Sequence, residues 1–208
     1  SVPWKTYANM PAPGETELLE KYRQSPVHQF GAWRFERVCQ DFKVDIVLSI
    51  RDVWMDSFIG ASSYRPYFRH VWMPTIDGDP QNTEWVGYFG ECDALLTYSD
   101  WAIGVIKRQG GDYMKVHGSA PPSAQAEFQV LDKKECRESL GLSSDSKIVG
   151  TVMRNQRRKL FPDIITSFKD YLEKTGDTNT YLYLHTSYPD AGWDLAQLIA
   201  ENGVRSRT

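Results

Sequence analysis

Long apolar runs, paired cysteines and an excess of positive charge are all missing from this chain of 208 residues. No apolar stretch approaches the length needed to cross a bilayer, so a membrane-spanning helix is excluded and peripheral membrane contact stays open. The three cysteines, Cys39, Cys92 and Cys136, lie far apart, and none has a Cys or His neighbour at metal-ligand spacing. No metal is therefore expected. Two of the three fall in apolar helical patterns, where a buried thiol is the default, and a reducing, cytoplasmic setting follows most simply. The balance of 24 basic against 27 acidic residues gives a net charge of −3, which implies no broad attraction to nucleic acid or anionic lipid. Ser1-Val-Pro-Trp-Lys5 has no apolar segment after a basic start, so no secretory leader is expected. No short-period repeat is present.

The chain does hold ample core material: 41% apolar residues, with seven Trp, eleven Tyr and nine Phe. Apolar spacing predicts a helix over 30–42, a strand over 44–50, a short helix over 53–59 and a strand over 71–76. A helix over 83–91, a strand over 93–99, a helix from the Ser99 or Asp100 cap to 109, and a strand over 113–117 follow. The run 44–50 is nearly continuous in apolar residues, as in a strand covered on both sides. Four strands separated by helices argue for a parallel sheet.

Residues 118–129, with Pro121-Pro122, break the rhythm and read as a junction. Asp132-Lys-Lys-Glu135 opens a short helix, and a second alternation begins: strand 147–153, helix 162–174, strand 180–186, helix 193–202. The expectation is an α/β protein of two Rossmann-like parallel-sheet domains, 1–129 and 130–208, the second incomplete. After Gly203 the next event in such a chain should be another strand, so either the domain stops early or the chain is a piece of a longer protein.

The stretch Gly150-Thr-Val-Met-Arg-Asn-Gln-Arg-Arg-Lys159 carries the most chemistry. It puts four cations at the carboxyl end of a strand and beside a helix amino terminus, a place suited to a phosphate or diphosphate. A wetted basic loop is the plain alternative. Arg158 offers a planar fork and Lys159 a compact charge, while Asn155 either adds an amide contact or holds the turn. Arg154 is a further candidate, and Arg157 is expected to face water. Asp52 follows the first clear strand and either binds a hydroxyl or caps the next helix. Asp77 lies in the turn Asp77-Gly-Asp79-Pro80, where a structural role competes with a place at the strand end. His117 and His185 end strands; His185 is a candidate substrate contact, with a hydrogen-bonded structural histidine as the alternative. Ser99 reads as a helix cap, Arg51 as a cleft contact or a surface ion pair, and Trp101 and Tyr183 as packing residues.

Four segments, in this order, resemble retaining glycosyltransferases of the GT-B type, family 4. They are Asp45-Ile-Val-Leu-Ser49, Cys92-Asp-Ala-Leu-Leu-Thr-Tyr-Ser99, Val116-His-Gly118 and Val149-Gly-Thr-Val-Met-Arg-Asn-Gln-Arg-Arg-Lys159. The resemblance covers roughly residues 40–203. It implies an amino-terminal acceptor-side domain and the start of a carboxyl-terminal domain that binds a nucleotide diphosphate sugar, usually without a metal. Sugar transfer with retention to a sugar, lipid or protein acceptor is implied, with no nucleic-acid partner. The family's phosphate-binding Arg and Lys map onto Arg154 or Arg158 and onto Lys159.

Three departures accompany the likeness. Asp77 stands where the family often has a His, and nothing before Phe30 supplies the usual glycine-rich turn. The family's pair of donor-contacting glutamates falls beyond the second carboxyl-domain helix, past the end of this chain. If Thr208 is the biological terminus, little or no transferase activity is expected. The competing expectations are a sugar-nucleotide epimerase of related fold and a noncatalytic sugar-phosphate-binding or scaffold protein.

Overall fold

The computed structural model describes residues 3–208; Ser1 and Val2, the start of the segment read for a leader, lie outside the described residues. The chain divides into two compact units, residues 1–125 and 126–208, against the expected division after 129. The stretch 120–131 between the regular elements of the two units has no helix or strand and is exposed throughout. Among the described residues no helix is long and apolar enough to cross a membrane.

The first unit begins with α1 (Thr16–Arg23) and α2 (Phe35–Phe42). The helix expected over 30–42 is interrupted, because Gly31 takes a left-handed conformation (φ 104°) between two 3-10 turns that precede α2. Then follow β1 (Ile46–Ser49), α3 (Val53–Asp56), β2 (Arg69–Trp72), α4 (Thr83–Glu91), β3 (Ala94–Thr97), α5 (Asp100–Gly110) and β4 (Val116–Ser119). Local chemistry sets these ends. Asn82 accepts from the Glu84 N–H at the start of α4, and Ser99 accepts from the Ala102 N–H at the start of α5. Gly111, at φ 65°, stops α5.

The four strands form one parallel sheet in the order β1-β2-β3-β4. A sheet whose strands follow chain order, joined by right-handed crossovers, winds in one direction and puts its connecting helices on one face. The core agrees. Val53 of α3, Phe89 of α4 and Ile106 of α5 pack with Trp72 and Leu95. Phe35 and Cys39 of α2 pack with Ile59, Phe68 and Val47. The other face of β1 is open: Ile46 is 63% exposed and Leu48 59%, whereas Ser49 is buried. A strand covered on both sides was expected. The apolar run is real, but the uniform winding leaves half of it in water.

The second unit contains α6 (Lys133–Ser139), β5 (Lys147–Val152), α7 (Phe161–Thr175), β6 (Thr180–His185) and α8 (Leu195–Glu201). Asp132 caps α6 through the Glu135 N–H, and Asp194 caps α8 through the Gln197 N–H. β5 and β6 pair in parallel over their full length. Ile165 and Phe168 of α7 pack on Leu182, with Val204, Leu198 and Ile199 closing the cluster. The opposite face carries Val152, Tyr183 and His185 in the open. Tyr183 and Trp101, expected to pack, are each about half exposed: Tyr183 lies on that open face, and Trp101 on the first turn of α5. The cysteines are free, with Cys39 and Cys92 buried and Cys136 half-buried. Burial pushes the Cys92 thiol up to about 11, which keeps it protonated and inert.

Candidate functional site

Parallel strands aim their carboxyl ends one way, and loops there face the usual ligand crevice. In the first unit that edge carries Asp52 after β1 and Asp77 after β2, on neighbouring strands. Asp52 occupies the cap position of α3, yet its carboxylate accepts no cap hydrogen bond. Asp77 is exposed. Neither carboxylate has a side-chain partner among the described residues, so both remain open to a hydroxyl. Arg51 is committed elsewhere: its Nη1 donates to the Phe30 carbonyl at 2.6 Å and lies 3.4 Å from Asp56 Oδ1.

Beneath this edge is a buried polar group with no distinct sequence signal. Ser49 Oγ and His70 Nε2 are 2.9 Å apart, and both residues are buried, as is Asp56. Burial raises the Asp56 pKa, opposed by Arg51 and by a hydrogen bond from Ser49. Burial lowers His70 to about 4, helped by the Arg65 charge and opposed by Asp93. The imidazole is therefore neutral at pH 7. Asp93 loses some of its own anionic preference to burial, but the His70 N–H, Arg65 and Arg69 outweigh that and bring it down to about 2. The structural reading of a histidine in this sheet thus belongs to His70. His117 and His185 are both exposed.

In the second unit β5 ends at Val152, and the basic stretch follows. Arg154 lays its fork on Asp190, with Nε to Oδ2 and Nη2 to Oδ1 both at 2.9 Å. That side-chain bond raises the Arg154 pKa and lowers that of Asp190. Asn155 is fully buried. Its Nδ2 donates to the Trp193 carbonyl at 2.8 Å, and its Oδ1 accepts from the Trp193 N–H at 2.9 Å. Of the two roles expected for Asn155, the geometry gives it the turn. α8 starts at Leu195 and not at Trp193, because Asp194 is extended and caps the helix through the Gln197 N–H. Arg157 lies over the Trp193 ring, 5.1 Å from its centroid, rather than only in water.

Residues 157–159 form a 3-10 turn, and Leu160 follows in the left-handed region at φ 51°. Such a backbone is strained for a branched side chain, and it swings the chain sharply into α7. Pro162 in the first turn of α7 loses no needed donor there. Arg158 is exposed and Lys159 half-buried, and neither has a carboxylate partner among the described residues. His185 ends β6 opposite Val152, with its Nδ1 3.0 Å from the Tyr183 hydroxyl. The fold of the second unit therefore brings Arg154, Asn155, Arg158, Lys159 and His185 to one strand-end edge. It leaves two of the cations uncommitted, next to the positive end of a 15-residue helix.

Sequence reasoning missed Asp56, His70, Asp190, Gly192 and Trp193. Among the described residues no group of three His, Cys, Asp or Glu side chains is arranged to hold a metal ion. No protein-family model matches the chain, and no curated protein matches it either.

Proposed function

We propose that the chain is part of a retaining glycosyltransferase of GT-B type, acting on a nucleotide diphosphate sugar in the cytoplasm. The reading is carried by one observation: Arg158 and Lys159, free of carboxylate partners among the described residues, stand between the carboxyl end of β5 and the amino terminus of α7. A diphosphate leaving group gains negative charge as its bond to the sugar breaks. Fixed cations and helix N–H dipoles that bind this charge more tightly in the transition state lower the barrier. In this reading Arg158 and Lys159 hold the diphosphate. Arg154 joins them only by leaving Asp190. Asp77 orients the acceptor hydroxyl, Asp52 and His185 contact substrate, and the acceptor is a sugar, lipid or protein.

Calorimetric titration with UDP and with GDP tests the anion site. The double variant Arg158→Ala, Lys159→Ala is expected to bind at least about tenfold more weakly, the loss of two charge-assisted contacts. Equal affinity in the two proteins rejects the site. Transfer of labelled sugar to an added acceptor separates a transferase from a sugar-phosphate-binding scaffold, and epimerisation without an acceptor favours the epimerase.

A further inference from the structure

We infer that Asn155, Gly192 and Trp193 are positioning residues, which clasp the loops after β5 and β6 together and so pre-set Arg158 and Lys159 for an anion. The inference rests on reading those two cations as an anion site, and it adds what fixes their geometry before a ligand arrives. A loop that must be ordered on binding costs entropy, whereas one already ordered does not.

The clasp has four ties. Asn155 spends both ends of its amide on the backbone of one residue 38 positions away, in the manner of a rung between paired strands. One partner is an N–H and the other a carbonyl, so only one orientation of the amide serves both. The Arg154 fork on Asp190 is the second tie. Trp193 Nε1 donates to the Arg157 carbonyl at 3.3 Å, and the Arg157 guanidinium covers the ring. Gly192 permits the close approach: a Cβ there would collide with the side-chain oxygen and the backbone carbonyl of Asn155.

Positions 154, 155 and 157 are thus fastened to 190–193, while the side chains at 158 and 159 are left free. The backbone beneath them is fixed too. The Lys159 N–H donates to the Gln156 carbonyl at 2.9 Å, and the Leu160 N–H to the Arg157 carbonyl. The arrangement holds the frame and releases the charges.

Two variants loosen the clasp without removing either cation. Gly192→Ala pushes the loops apart while keeping every polar group. Trp193→Phe keeps the ring and the backbone pairing with Asn155 but deletes the indole donor. Hydrogen exchange at the Lys159 and Leu160 amides reads the frame, and titration with inorganic pyrophosphate and with UDP reads the site. Gly192→Ala should exchange those amides at least about tenfold faster and bind both probes about five- to tenfold more weakly, with its circular dichroism retained. Trp193→Phe should move both readouts the same way by less, and it stands in if the alanine variant does not fold. The double charge variant should lose binding yet keep slow exchange, so the cations do not hold the frame; the loss of affinity in Gly192→Ala, with both cations present, is what a purely structural clasp would not produce. If the unaltered chain binds both probes while Gly192→Ala matches it in exchange and affinity, the positioning role is wrong and the anion site stands. An unaltered chain that binds neither probe overturns the anion site, and this inference with it.

Discussion

His70 is stacked on Trp72, with ring centroids 5.3 Å apart, and is 2% exposed. Its pKa drops from the ordinary 6.5 to about 4 in the fold. Between those values the unfolded chain takes up a proton that the folded chain refuses, so stability falls as pH drops from 6.5 and levels off below 4. The loss is on the order of 3 kcal/mol for a shift of this size. Asp56, raised by burial, contributes with the opposite sign above its ordinary range. Arg65 and Asp93 are the other charges acting on His70. Replacing the imidazole by an amide, His70→Gln, keeps a donor for Ser49 and cannot titrate. Urea unfolding at several pH values should give a flatter profile for the variant between pH 6.5 and 4. Parallel profiles would show that His70 does not set the acid limb. At this scale the sequence revealed residues whose roles are local. Ser99 was legible as a cap because cap and helix are contiguous. Asn155 was legible only as one of two roles, since its partner is 38 positions downstream. His70 was not legible, because nothing in Arg69-His-Val71 reveals what packs over it.

Helices show the same division between local and distant causes. α4 has the bounds read from its apolar spacing, and Asn82 caps it. α7 differs from expectation by one residue at each end, with Pro162 near its start and Gly176 at its stop. Gly176 adopts φ 65°, and its N–H bonds the Leu172 carbonyl. Gly176→Ala puts a Cβ on a left-handed backbone and should cost about 1 kcal/mol, read as a lower thermal midpoint. An unchanged midpoint would mean that this end of α7 frays at no cost. α2 was misjudged because Gly31 was counted inside a helical period, although its backbone breaks that period. β1 was misjudged for another reason: a run of apolar residues records what a strand can bury, not what the winding of the sheet brings over it.

For the molecule as a whole, the two-unit organisation was legible from the change in composition after residue 118, and the boundary fell four residues early. The intervening stretch carries Phe128 at 76% exposure and has neither helix nor strand. Brief chymotrypsin treatment should cut first after Phe128 and leave two resistant pieces, which mass spectrometry would identify. Early cuts inside α4, α5 or α7 instead would contradict the division. Ile46, Leu48 and Ile50, together about a strand's length of bare hydrocarbon, have a consequence for solubility. Sulfate is excluded from protein surfaces and rewards any contact that hides oil from water. This protein should therefore cluster reversibly as ammonium sulfate is added, and swapping Leu48 for threonine should move the onset of light scattering to higher salt.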